Sequence, residues 1–136
     1  MKICIVVSDY YKEISDNLLK GSIKELKKNG YKKIMIKKVS GAFEIPITIS
    51  QNIKKFHAFI ALGCIIKGQT DHYYFISQAV TNGLMDLSIK FKKPVGFGVL
   101  TCNNLKQAKF RASLSKKNKG REVALGVISI LKNKWN

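Results

Sequence analysis

The chain reads as an α/β domain with helices on both faces of a parallel sheet, and two observations predict it. The apolar runs "KICIVVS", "KKIMIKKV", "HAFIALGCII" and "PVGFGVL" have strand length and are rich in β-branched residues. Segments with apolar residues at helical spacing separate them. Such alternation calls for right-handed crossovers, which lay helices on both sides of a parallel sheet.

The first run (2 to 8) is a continuously apolar strand. Residues 12 to 29 follow with Ile14, Leu18, Leu19, Ile23 and Leu26 on one helical stripe, closed by Gly30 where a left-handed C-cap is expected. The second strand (32 to 39) carries lysines suited to a sheet edge. After "SGAFEIP" comes a helix of roughly ten residues, then a strand at 57 to 66, a long helix from 70 to 90 and a strand at 94 to 100. A short helix from 103 to 112 and a last helix from 119 to 133 complete the chain. Strands one and three are the most continuously apolar and belong at the centre. The expected order is therefore 2-1-3-4, a three-layer αβα sandwich of flavodoxin-like topology. At 136 residues, with no linker, repeat or low-complexity tract, residues 1 to 136 are expected to form a single domain.

Composition excludes several functions. "ICIVV" is too short for a signal peptide's apolar region and "AFIALGCII" is far below membrane-spanning length, so a soluble cytoplasmic protein without a membrane partner is expected. Cys4, Cys64 and Cys102 lack the close Cys or His partners that a zinc site needs and read as reduced, buried thiols. Cys64 and Cys102 fall near strand ends, where one could line a site. The formal charge of +17 suggests nucleic acid, yet 23 lysines against two arginines are scattered over every segment. No basic motif interleaved with aromatics could stack bases, so no nucleic-acid partner is expected. The charge still favours an anionic ligand.

In open parallel sheets ligands bind beyond the carboxyl ends of the strands. The segments expected there are "SDYY", "SGAFE", "KGQTDH" and "TCNN". Within "KGQTDH", Gly68 permits a tight turn, Thr70 is a candidate N-cap, and the free amides of the next helical turn favour an anion such as phosphate. His72 falls inside that turn, where the positive helix end disfavours its protonated form and suits it to accept a proton. A surface or capping histidine is the alternative. His57, at a strand start, reads as structural.

Glu44 could accept hydrogen bonds from a hydroxylated ligand, with Ala42 and Phe43 adding backbone and apolar contact; a first-turn acid placed for the helix dipole is the bland reading. Tyr10 could stack on a planar ring or simply pack. Arg111 stands out as one of two arginines in a lysine-rich chain, because a guanidinium fork grips phosphate with paired hydrogen bonds. Lys119 adds charge near the last helix start, although "SKKNKGR" also reads as a solvated loop.

The segments "GAFEIP", "ALGCIIKGQTDHYYFIS", "PVGFGVLT" and "FRASLSKKNKG", in this order and spacing, closely resemble the 6,7-dimethyl-8-ribityllumazine synthase family over nearly the whole chain. The resemblance implies condensation of 5-amino-6-(ribitylamino)pyrimidinedione with 3,4-dihydroxy-2-butanone 4-phosphate in riboflavin biosynthesis. Phosphate and water are released, and no metal or organic cofactor is needed. By the same resemblance Tyr10 stacks on the pyrimidine, and Ala42, Phe43 and Glu44 contact the ribityl chain. Gln69, Thr70 and Arg111 hold phosphate, His72 transfers protons, and Lys119 lies near the reacting groups and phosphate. Phe97 belongs to a strand-four segment that reaches the site of a neighbouring subunit. The implied assembly is a homopentamer, alone or as part of a sixty-subunit shell, with active sites shared between adjacent subunits. Apolar residues on several sides of the last helix, from Val123 to Leu131, agree with extra buried surface.

Departures from the family pattern fall at Ser40, where proline is usual, at Lys67 for arginine, at Ser113 for glycine, and at Tyr10 for phenylalanine or tryptophan. The chain begins almost directly at strand one, which favours a free pentamer, while the lack of an insertion between the last two helices points the other way. Rival readings account for less. A phospho-receiver needs an aspartate at the end of strand three, where "IIKG" stands, and "SDYYKE" is a poor flavodoxin phosphate loop. An RNA-binding module explains the charge but not the four motifs.

Overall fold

The computed structural model describes residues 1–133. The strands are β1 (Lys2–Ser8), β2 (Lys33–Val39), β3 (Ala58–Ile66) and β4 (Val95–Cys102), all parallel in the expected order β2-β1-β3-β4. Ile5 at the centre pairs with Ile36 on one side and Ile60 on the other. The helices are α1 (Lys12–Lys28), α2 (Ile45–Gln51), α3 (His72–Phe91), α4 (Leu105–Ala112) and α5 (Lys119–Asn133).

Strand pleating divides the core in two. Ile3, Ile5, Val7, Ile60, Leu62, Leu100 and Cys102 face α1, α4 and α5, together with Leu18, Leu26, Ala108, Val127 and Ile128. Cys4, Val6, Phe59, Ala61 and Val99 face the opposite way and pack with Ile45 and Ile49 of α2 and Val80 and Leu84 of α3. Each large side chain fully buried here contributes roughly 1.5–3 kcal/mol. β1 after its exposed first residue, Lys2, and β3 bury both faces, and those stretches carry no charge. β2 has only half-buried and exposed positions, with Lys33, Lys37 and Lys38 along the edge.

Helix ends depart from expectation where local chemistry competes. The ten-residue helix after "SGAFEIP" is a 3-10 turn, Ala42–Glu44, followed by the seven residues of α2 with Pro46 in its first turn. The Asn52 Nδ2 amide donates to the Thr48 carbonyl and the Asn52 backbone N–H to that of Ile49, which closes the helix early. α3 starts two residues later than expected. Its N-cap position is Asp71, whose side chain makes no capping bond, and the candidate cap Thr70 accepts instead from the His72 N–H through Oγ1 at 3.3 Å. Gly30 has φ +89°, as expected of a residue that ends a helix in the left-handed region.

α1 and α5 pack closely because two glycines open the seam. A Cβ on Gly120 would stand 2.0 Å from the Leu18 carbonyl oxygen, and one on Gly21 would stand 2.0 Å from Asn118 Oδ1. Ser22 Oγ donates to the Gly120 carbonyl at 2.7 Å, and Arg121 Nε pairs with the buried carboxylate of Glu25 at 3.3 Å.

Candidate active site

The carboxyl ends of all four strands converge on one rim. The Asp9 N–H donates to the Val39 carbonyl at 3.3 Å and the Lys67 N–H to the Cys102 carbonyl at 2.9 Å, so the loop after β1 is tied to β2 and the loop after β3 to β4. Asn104 caps α4 by accepting from the Gln107 N–H at 2.9 Å, and Gln107 Oε1 accepts from the Asn103 N–H at 2.9 Å. Asn103 and Asn104, which follow the last β4 residues of "TCNN", thereby form a turn fixed by hydrogen bonds.

A cavity of about 470 Å³ opens between the ends of β1, β2 and β3, at the switch point of strand order. Tyr10, Gly41, Ala42, Phe43, Glu44 and His72 line it, and Tyr11, Cys64, Ile65, Ile66 and Ile76 complete its wall and floor. Five of the residues singled out from the sequence, Tyr10, Ala42, Phe43, Glu44 and His72, thus meet in one place. Tyr10 is 73% exposed and free to cover a planar group, while its ring meets Tyr11 edge-on at 4.9 Å. The Glu44 carboxylate is held by Ser40, whose Oγ donates to Oε1 at 3.2 Å. A Cβ on Gly41 would lie 2.9 Å from that same oxygen. Ser40 therefore orients Glu44 through its hydroxyl, which a proline could not do.

His72 is exposed at the first position of α3, with its backbone N–H engaged by Thr70 Oγ1. Gln69 and Thr70 are exposed on the loop before it. Arg111 is exposed in the last turn of α4, and among the described residues it makes neither a hydrogen bond nor an ion pair. Its charge acts on Cys102 at the end of β4, lowering that thiol against the stronger rise due to burial. The other arginine, Arg121, is committed to Glu25. Lys119 is half-buried at the first position of α5. Gln69, Thr70, Arg111 and Lys119 do not line the cavity, and neither does Phe97. Phe97 is 38% exposed in a separate groove of about 480 Å³ against another face of α3, with Tyr73, Tyr74, Ser77 and Thr81.

The thiols are all buried and unpaired. Burial pushes Cys4 up to about 11 and Cys64 up to about 12, with Cys102 adding to the rise at Cys64 and Lys37 opposing the rise at Cys4. Cys64 is both core filler and cavity wall, but as a neutral thiol. Burial also raises the Tyr11 hydroxyl, with Tyr10 and Cys64 adding to the rise. Among the described residues no cluster of three or more His, Cys, Asp or Glu could hold a metal ion. Tyr11 and Gly41 fall in the segments "SDYY" and "SGAFE" but are not singled out there, and the sequence did not point to Ile65, Ile66 and Ile76, whose nearness to His72 depends on how α3 lies over β3. A larger cavity of about 690 Å³ sits at the opposite end of the sheet, around Met1, His57 and Phe91–Pro94, away from these residues.

Comparison with known proteins places the chain in a family. Residues 1–134 match the 6,7-dimethyl-8-ribityllumazine synthase family. The 6,7-dimethyl-8-ribityllumazine synthase of Buchnera aphidicola subsp. Baizongia pistaciae is 44% identical over 134 residues, covering 95% of this chain and 84% of the relative. That of Arthrobacter sp. strain FB24 is 37% identical over 131 residues, with 95% and 81% covered. That of Limosilactobacillus reuteri is 36% identical over 132 residues, with 96% and 87% covered. The chain therefore belongs to the 6,7-dimethyl-8-ribityllumazine synthase family.

Proposed function

We propose that the cleft between the ends of β1, β2 and β3 is where this chain carries out the family's reaction. That reaction condenses 5-amino-6-(ribitylamino)pyrimidinedione with 3,4-dihydroxy-2-butanone 4-phosphate. The observation that carries the reading is the meeting of Tyr10, Ala42, Phe43, Glu44 and His72 in one cavity. The pyrimidine lies against Tyr10, and the ribityl hydroxyls reach the Ala42–Phe43 backbone and the Glu44 carboxylate that Ser40 holds. The substrate amine attacks the ketone with loss of water, phosphate leaves, and the ribityl-bearing nitrogen closes the second ring with loss of a further water. His72, exposed at the cleft, is placed to move the protons that these steps require.

The phosphate end of the second substrate lies toward Gln69, Thr70, Arg111 and Lys119. Arg111 supports this assignment because its guanidinium has no partner among the described residues while Arg121 is consumed by Glu25. No metal or organic cofactor enters the scheme.

The active unit is a homopentamer, free or within a larger shell, with Phe97 completing a neighbour's site. Exposed apolar residues support assembly. Tyr74, Phe75, Met85 and Ile89 stand on α3, Leu125 and Ile130 on α5, and Phe97 on β4. α3 buries only Val80 and Leu84 among its twenty residues, so most of its apolar surface awaits a partner. The reduced, buried cysteines suit a cytoplasmic setting.

The test is to mix purified protein with both substrates and follow the lumazine chromophore above the uncatalysed background. In the Arg111→Ala variant KM for the phosphorylated ketone should rise about tenfold or more while KM for the pyrimidine stays put. Equal losses for both substrates would remove Arg111 from the phosphate site. No acceleration by assembled protein would overturn the reading as a whole.

A further inference from the structure

The loop joining α4 to α5 carries the two cations assigned to phosphate at its ends, Arg111 before it and Lys119 after it. Leu114, Ser115, Lys116 and Lys117 are exposed, and the bonds within the loop, Ser113 Oγ to Ser115 Oγ at 3.0 Å and Lys116 N–H to the Ser113 carbonyl at 3.3 Å, do not tie it to the body. Asn118 is the exception, at 3% exposure. Its Nδ2 donates to the Ala112 carbonyl at 2.8 Å and to the Asn17 carbonyl of α1 at 3.0 Å, while Oδ1 accepts from the Arg121 N–H at 3.0 Å. Ala112 follows Arg111 and Lys119 follows Asn118. One amide thus fixes the backbone next to both cations and fastens both to α1. Gly21 makes the room, since a Cβ there would overlap Asn118 Oδ1. The arrangement needs two donors and an acceptor on one short planar group, and asparagine supplies them; aspartate has the shape but no donor.

We propose that Asn118 is a positioning residue for the anion site, setting the placement of Arg111 and Lys119 so that both engage one phosphate. The proposal rests on the phosphate assignment above. It makes Asn118 a determinant of affinity for the phosphorylated substrate, although it touches no ligand.

The experiment compares Asn118→Asp, Asn118→Ser, Ser22→Ala and Arg111→Ala with wild type in initial-rate assays that vary each substrate in turn, alongside thermal melts. Asn118→Asp and Asn118→Ser keep an oxygen that can cap α5, but aspartate has no donor for Ala112 and Asn17, and serine has one hydroxyl proton on a shorter side chain and cannot serve both. Ser22→Ala loosens the same α1–α5 seam by deleting a different bond, from Ser22 Oγ to the Gly120 carbonyl. The expected result is a rise of about fivefold to tenfold in KM for the phosphorylated ketone in both Asn118 variants. KM for the pyrimidine should stay within about twofold, and Ser22→Ala should leave both constants unchanged even where its melting temperature falls as far. Should Asn118→Asp fail to fold, Asn118→Ser decides. Unchanged KM in the folded Asn118 variants, with Arg111→Ala still impaired, overturns the positioning role alone. A matching rise in Ser22→Ala overturns it too, because general loosening then suffices. An unimpaired Arg111→Ala removes the phosphate assignment and this proposal with it.

Discussion

Lys2 and His57 hold each other at the amino end of the sheet. The Lys2 N–H donates to His57 Nδ1 at 3.0 Å, and the His57 N–H donates to the Lys2 carbonyl at 2.9 Å. The imidazole thereby extends the β1–β3 pairing beyond its last strand residues, at the opposite end of the sheet from the cleft. The chain's two histidines are separated by role: His57 is part of the sheet, and His72 stands in the cleft.

Substitution should separate these roles. His57→Ala should lower stability by about 0.5–1 kcal/mol, since the bond is exposed and water replaces part of it, and should leave turnover intact. His72→Ala should leave the melting temperature in place and slow turnover on the order of a hundredfold with little change in KM. Melts and initial rates on the same preparations check both. Unchanged turnover in His72→Ala would remove it from the chemistry.

Arg121 and Glu25 make the converse case for arginine. Glu25 is 6% exposed and its carboxylate depends on Arg121 Nε, with Asn29 Nδ2 a weaker partner at 3.4 Å. Removing Arg121 strands a buried charge. Arg121→Ala should cost about 2 kcal/mol, below the figure for a fully buried pair because the guanidinium is half exposed. The same change in a Glu25→Gln background should cost clearly less, and a denaturant double-mutant cycle measures the difference. Additive losses would mean that the pair is not coupled.

Two glycines of α5 should respond oppositely to alanine. At Gly120 the new methyl meets the Leu18 carbonyl, a backbone atom that cannot swing aside, and the expected loss is about 3 kcal/mol. At Gly126 a Cβ meets nothing within 4 Å, so Gly126→Ala should stabilise the helix by about 0.5–1 kcal/mol. Denaturant midpoints for the two variants, both measured against wild type, test this.

The thiols predict a pH dependence. Cys4 and Cys64 titrate near 11 and 12 in the fold against 9.0 for an ordinary thiol. Between these limits the unfolded chain gives up protons that the folded chain keeps. The stability that the thiols contribute is complete below pH 9.0 and falls as pH rises toward 11 and 12. Cys64→Ala should lose stability less steeply than wild type as pH rises from 9.0 toward 12. Parallel slopes would exclude the thiol as a cause. At neutral pH all three cysteines should resist alkylation until the protein is unfolded.

Strand order was legible because continuous apolar runs belong between neighbours and a lysine-bearing run belongs at an edge, and β1, β3 and β2 obey that rule. Helix limits were legible where a positive-φ glycine marked them, as at Gly30. They were not where side chains competed with the backbone, as Asn52 does at the end of α2 and Thr70 before α3. That Tyr10, Ala42, Phe43, Glu44 and His72 share one rim could be read from the segments after β1, β2 and β3, since chain topology alone carries those loops there.

The sequence by itself determined the layers, the sheet and the set of reactive side chains, because periodicity and loop position are local properties of the chain. Only the tertiary structure decided which of those side chains meet, which arginine is free and which is spent on Glu25, that Ser40 holds Glu44, and that Asn118 ties the backbone beside Arg111 and Lys119 to α1. Those relationships join residues from separate elements, in most cases far apart in sequence, and their geometry follows from how helices seat on the sheet and on each other. Phe97 lies on another face of α3 from the cleft because a β4 side chain follows the pleat of its strand, and no local pattern records what that face will meet.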